Sequence, residues 1–438
     1  MPDGATAGAA QAAVIRRRHV IYVEGYDPQG AKGYYRLFDR SWARFLKVWP
    51  LKARLSELAV DSQDFAHWEV EAAGPNWQVV TRYDFLRQEH IIRANMAEPL
   101  RRQIPRAMAW AFDYLVSGAI FRVLRASPYF GLVLLYFQIM LIWWFVLAAG
   151  GGWLIALAAM HGLGLGGAAS VPIGVLGAIA IFFALRPLAN RLFLIQINNH
   201  WPYLCAFARG EATCFDAPIE ACAQRVIAAV RANDADEVIV VGHSGGGALA
   251  PAVIVRALEL DPDIGRQGPP LVLVTLGSIA PGAALHPKAA RMRAVFARLA
   301  VEPSVLWIDS QSRADVLNFW NFDPVEGIGA HVDGRRCNPL IWKVRFGDML
   351  SRQFYWRIRF NFFRLHYQFI MASDRRAPYD YFLLVCGPVP VAAWARDPNG
   401  VLAMFAADGS LAASSLPASA SAATLARPAA SITGGKTG

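Results

Sequence analysis

A chain of 438 residues is long enough for one large α/β core carrying an appendage. Apolar residues make up 55% of it and charged residues only 17%, against roughly 25% charged in soluble domains, with 14 Trp and 25 Phe, so a wholly soluble protein fits poorly and membrane association is the first reading. The net charge of +10 comes mostly from arginines clustered at 16–18, 101–106, 122–125 and 351–364, which suit anionic lipid head groups better than nucleic acid, and no nucleic-acid partner is expected.

Residues 1–15 lack the apolar run of a secretory signal, so the N-terminus is expected to stay in the cytoplasm as a disordered segment. "RHVIYVEGYDP" (18–28) and "WQVVTRYDF" (77–85) read as strands, with helical patterns between and after them, so 16–125 is assigned to the first part of a cytoplasmic α/β domain. From Ala126 to Leu185 there is no Asp, Glu, Lys or Arg, a stretch too long for one bilayer crossing of about 20 residues. Two spans fit, at 129–148 and within 167–185, as a hairpin over 126–188. Gly150, Gly151, Gly152 and the Gly-rich 162–167 are expected to mark its turn region. Arg122 and Arg125 precede the hairpin and Arg186 and Arg191 follow it, which predicts that both its ends face the cytoplasm across a bacterial-type inner membrane.

Behind the hairpin, helices are expected around 217–232, 246–260 and 288–300, and strands at 237–241, 270–278 and 304–310. Continuous Val, Leu and Ile in strands that alternate with helices predict a mostly parallel sheet covered on both faces. This second part of the domain runs over 189–400. The tail 409–438, rich in Ala, Ser, Gly and Pro, is expected to be disordered. Five cysteines in no paired spacing argue against a disulfide framework or zinc site, and neither metal nor cofactor is expected.

The chemistry centres on "EVIVVGHSGGGALA" (237–250), a strand that breaks into a G-x-S-x-G turn and then a helix. Such a turn forces the serine, Ser244, into a strained conformation above the sheet edge, while Gly242 and Gly246 make room for the crowded backbone. "GHSGGGALA" resembles the elbow of the class 3 (fungal-type) lipases in the α/β-hydrolase superfamily, and "LVLVTLGSIAPG" (271–282) resembles the strand and Gly-Ser turn that follow it there. The chain departs from those proteins in its hairpin and in Glu24, where many hydrolases carry histidine.

The resemblance implies an α/β-hydrolase-like sheet and a Ser, Asp, His order along the chain, with an oxyanion hole of backbone amides. Three histidines follow Ser244. His366, beyond the last acid candidates, is the expected base and His331 the second choice, while His286 reads as a surface residue. For the acid, Asp315 leads and Asp323 in "NFDPV" is the alternative, whereas Asp309 sits on its strand and is expected to be buried by pairing. The oxyanion amides are expected from Gly245 and Tyr26, with Gly25 permitting close approach and Glu24 read as a surface acid. These features together predict a membrane-anchored serine hydrolase whose partners are the lipid bilayer and a lipid or acyl-ester substrate. The alternatives are an inactive membrane scaffold of the same fold, or an acyltransferase or peptidase using the same three side chains.

Overall fold

Strand β1 (Arg17–Val23), buried at six of its seven positions, lies in the middle of the sheet of the computed structural model, which describes residues 14–412. It is followed by β2 (Lys52–Leu55), β3 (Ala59–Val60), β4 (Phe65–Ala73) and β5 (Gln78–Leu86). Far along the chain come β6 (Glu237–His243), β7 (Leu271–Leu276), β8 (Val305–Gln311) and β9 (Leu340–Lys343). The sheet order is β2-β4-β5-β1-β6-β7-β8-β9, with β3 paired to β4. Pairing is parallel from β5 through β1, β6, β7 and β8 to β9, and antiparallel among β2, β3, β4 and β5.

The expected parallel strands form, and so do the expected helices, as Asp216–Ala232, Gly246–Leu260 and Ala290–Ala300. Every residue of β6, β7 and β8 is buried, as strands covered on both faces require. On one face, Tyr22, Ile239 and Val241 join a core with Phe38 and Trp42 of the helix Gly30–Val48 and with Phe382 of the helix Tyr381–Cys386. The helices Asp216–Ala232 and Gly246–Leu260 pack on β6 as well. All five cysteines are free, and burial pushes the Cys386 thiol up to about 12.

One topological fact positions the site. From β1 the chain builds outward to β5 and β4 on one side, and from β6 it builds outward to β9 on the other. Connections therefore leave the C-terminal ends of β1 and β6 in opposite directions, and the point where the order reverses is the usual place for a site in such sheets.

The chain divides into two compact units, one formed by residues up to Ile92 and from Phe207, the other by Arg93–Ala206. The second unit thus reaches beyond the expected hairpin boundaries. It contains two helices long and apolar enough to cross a membrane, Pro128–Gly162 and Gly167–Arg191 by that criterion. A third span arises only if Leu100–Val116 and Ala119–Ala126, bent by 74°, are taken together. Gly150, Gly151 and Gly152 do not turn the chain, because Pro128–Gly162 is one continuous helix. At 35 residues it measures about 52 Å, well over the roughly 30 Å of a hydrocarbon core. Gly152 serves packing instead: a Cβ on it would lie 2.6 Å from Ala178 Cβ, and one on Gly174 would lie 2.7 Å from Gly152 O, whereas one on Gly150 would meet nothing within 4 Å. Small residues at the contact are what let apolar helices approach in lipid. Inside this unit Gln138 donates to Asn198 Oδ1 (2.5 Å), and Trp144 Nε1 donates to Phe182 O (3.1 Å).

The disordered segments expected at 1–15 and 409–438 lie mostly outside the described residues. At their inner ends the expectation fails, since Ile15 is buried and donates its amide to Pro388 O, and Leu411 is buried and bridged to Phe405.

Candidate active site

At the end of β6 the backbone of Ser244 takes φ +58°, the left-handed region that costs a non-glycine residue about 1 kcal/mol or more. Three backbone bonds hold it there: Ser244 N donates to Leu276 O and Gly247 N to Ser244 O, each at 3.0 Å, and Ile279 N donates to Ser244 O at 3.4 Å. The helix Gly246–Leu260 starts at once. Neither elbow glycine tolerates a side chain, because a Cβ on Gly246 would overlap the Val23 carbonyl and one on Gly242 would lie 2.7 Å from Ala250 Cβ. Gly25, in the turn after β1, sits against this elbow, with a Cβ there falling 3.2 Å from Gly245 N and 3.3 Å from Ser244 Cβ. The turn that carries Tyr26, itself buried, is therefore adjacent to the Gly245 amide. Gly245 caps the helix, where amides have no intrahelical acceptor and the helix dipole favours negative charge.

The histidine and the acid meet as a buried pair. Asp315 follows β8 in a tight turn, in which its Oδ1 accepts from Leu317 N at 2.9 Å and Asn318 Nδ2 donates to both Ser312 O and Asp315 O. His366 ends the short helix Phe362–His366, and its Nδ1 donates to Asp315 Oδ2 at 2.7 Å with both side chains almost wholly buried. That bond places the ring proton on Nδ1 and leaves Nε2 as an acceptor. His366 Nε2 is buried with no hydrogen-bond partner, so the Ser244 hydroxyl is not bonded to it here, and such bonds in ligand-free sites commonly close only with substrate. The ring lies beside the elbow nonetheless: its centroid is 4.8 Å from that of His243, and a Cβ on Gly277 would fall 3.1 Å from its Cε1.

The remaining expected residues separate. Asp323, the alternative acid, has its hydrogen bonds elsewhere. Its Oδ1 caps a turn by accepting from Val325 N (2.8 Å) and Glu326 N (3.0 Å), and its Oδ2 pairs with Arg336 at 2.6 Å. Asp309 is buried and accepts from Thr275 Oγ1 and Gln311 Nε2, with burial raising its carboxyl to about 6. His331 is exposed and pairs with Asp333. Two readings fail: His286 and Glu24 are buried rather than on the surface, and around His286 the turn closes on Arg293, which donates to the Ala284 and His286 carbonyls.

Two contacts at the site had no signal in the sequence. His243, the variable residue of the elbow, donates from Nε2 to the backbone carbonyl of His366 at 3.1 Å. Tyr367, next to His366, donates its hydroxyl to Asp27 Oδ2 at 2.7 Å, tying the base-bearing segment to the turn that carries Tyr26. The partners are more than 120 residues apart in each case, and no local pattern marks them.

Burial, and secondarily the neighbouring His366, hold the His243 imidazole well below its ordinary range. The unfolded chain therefore takes up this proton first as pH falls, so the stability tied to neutral His243 is present above about pH 6.5 and is lost below it, at up to about 1.4 kcal/mol per pH unit. Unfolding of detergent-solubilised protein between pH 7 and 5 is expected to show a shallower acid limb in His243→Gln than in wild type. Equal slopes would remove His243 as the source.

Among the described residues, donor atoms of Asp61, His67 and Asp84 lie within 4.8 Å of one another, a spacing compatible with a cation. Their carboxylates are already met by arginine, Asp61 Oδ2 by Arg82 (3.3 Å) and Arg225 (3.4 Å) and Asp84 Oδ2 by Arg225 (3.3 Å), and His19 adds a 2.9 Å contact to Asp84. The donor set is that of an ion-pair network. Comparison with protein-family models, with curated proteins and with solved structures finds no match to this chain.

Proposed function

We propose that the chain is a membrane-anchored serine hydrolase of the α/β-hydrolase kind that cleaves an acyl ester, most naturally one borne by a lipid. The observation that carries this reading is the buried 2.7 Å His366–Asp315 pair beside a serine held at φ +58° on a glycine elbow. In the reaction, Ser244 Oγ attacks the ester carbonyl while its proton passes to His366 Nε2. The negative charge that develops on the carbonyl oxygen is met by the amides of Gly245 and Tyr26. Collapse expels the alcohol, which takes the proton from His366, and leaves an acyl group on Ser244. Water, deprotonated by the same Nε2, then releases the acid and restores the serine.

An inactive scaffold requires a histidine with no acid in reach, and the His366–Asp315 bond speaks against it. The test is labelling with a fluorophosphonate, wild type against Ser244→Ala. Absence of reaction with folded wild-type protein would overturn the proposal.

In the same reading the two long apolar helices span a bacterial-type inner membrane and the catalytic unit faces the cytoplasm with both ends of the chain, as the flanking arginines favour. Reporters fused at residues 60 and 400 are expected to read as cytoplasmic and one at about 160 as periplasmic. A cytoplasmic signal at 160 would sink this topology.

A further inference from the structure

Between Asp348 and Asp374 the chain has four arginines and no acidic residue, and within this stretch six aromatic residues crowd into 354–363. The segment folds as two short helices, Arg352–Ile358 capped by Ser351 and Phe362–His366 capped by Asn361. Its apolar side chains do not all turn inward: Trp356 is 50% exposed, Phe360 74% and Phe362 45%. Among the described residues of this unit only three other large apolar side chains are comparably exposed, Val60, Leu260 and Ile341, and they stand apart in the sequence. Single exposed residues need no explanation, whereas three aromatics in seven positions do. The arginines are interleaved with them. The Arg359 guanidinium lies 3.6 Å from the Trp356 ring centre and 4.4 Å from that of Phe360, and Arg357 lies 4.8 Å from that of Phe354.

We propose that residues 352–362 form a bilayer-docking surface, with Arg352, Arg357 and Arg359 engaging anionic lipid phosphates and Trp356, Phe360 and Phe362 seated at the edge of the hydrocarbon. Guanidinium groups match phosphate oxygens two at a time, and aromatic rings with a wet and a dry side collect at membrane interfaces. The positive charge without any acid fits an anionic surface. It does not fit a second copy of the same patch, which would set arginine against arginine. The chain also carries its own bilayer-length helices, so a membrane is always within tether range. Docking here sets the segment that ends in His366 against lipid, where an ester partitioned into the bilayer is concentrated. This last link rests on the hydrolase reading, but the docking does not, and its test uses no activity.

The test places a nitroxide on Phe360→Cys in the full chain, with the half-buried Cys214 and Cys337 changed to serine, in vesicles of phosphatidylcholine containing phosphatidylglycerol. Val60→Cys serves as the exposed reference. The ratio of oxygen to water-soluble nickel collisions is expected to be several-fold higher at 360 than at 60, and to fall to the reference when Arg352→Glu, Arg357→Glu and Arg359→Glu are combined. High nickel access at 360 would overturn the proposal by showing a solvated patch. Low access to both reagents would overturn it by showing that protein covers the patch. A ratio unchanged by the three charge reversals would overturn the role given to lipid phosphates.

Discussion

Ser244→Ala is expected to abolish covalent labelling by a fluorophosphonate, and His366→Ala to slow it by roughly 10²–10⁴-fold. A serine hydroxyl is barely ionised at neutral pH and attacks phosphorus only when a base removes its proton as the bond forms. Here His366 has its Nδ1 proton committed to Asp315, which leaves its buried Nε2 as an acceptor with no partner of its own. His331→Ala, at an exposed position, is expected to leave labelling intact. If His366→Ala labels as fast as wild type, His366 is not the base. Because His366 is buried, the unfolding midpoint of each variant should be measured alongside, so that loss of fold is told apart from loss of proton transfer.

Asp315→Asn is expected to lower turnover of a simple chromogenic ester by roughly 10⁴, the cost of the corresponding change in serine proteases. The asparagine keeps an oxygen for Leu317 N yet presents an NH₂ group to His366 Nδ1, so the ring moves its proton to Nε2 and can no longer accept one from Ser244. Asp323→Asn loses only part of a half-buried pair with Arg336 and is expected to change turnover by no more than a few-fold. The reverse ranking would transfer the orienting role to Asp323 and contradict the geometry of the site.

The two acids show where sequence reasoning stops. Each is an aspartate in a loop after β8, and each begins a turn. What separates them is a contact between residues 315 and 366, and no local pattern reports that one of the two faces a histidine 51 positions away. By contrast, the parallel strands were readable because two-sided burial demands unbroken β-branched runs such as Val238–Val241, and the elbow because only glycine fits at 242 and 246. Strand β4 was not, since alternating exposure puts glutamate and alanine into "FAHWEVEAA", residues that favour a strand poorly. Glu24 and His286 read as solvated because ionisable residues in turns are usually exposed, yet both are buried. Gly150–Gly152 read as a turn because glycine breaks helices in water, whereas the long apolar helix runs through them and uses Gly152 for close packing.

The insertion of residues 93–206 between β5 and β6 also fixes an order of assembly. β1 has two parallel neighbours, and the one on its β6 side lies 219 positions further along the chain. At synthesis rates of about 5–20 residues per second, the N-terminal half waits on the order of ten seconds for β6, with one apolar edge of β1 unpaired. Such an edge is a template for pairing with the wrong chain. A hairpin that enters and leaves a bilayer on the same side returns the nascent chain to where it left and shortens the effective loop that β6 must close. If the hairpin inserts as proposed, its insertion and the completion of the sheet are coupled, and a chain whose hairpin fails to insert is expected to leave its β1 edge unpaired for longer.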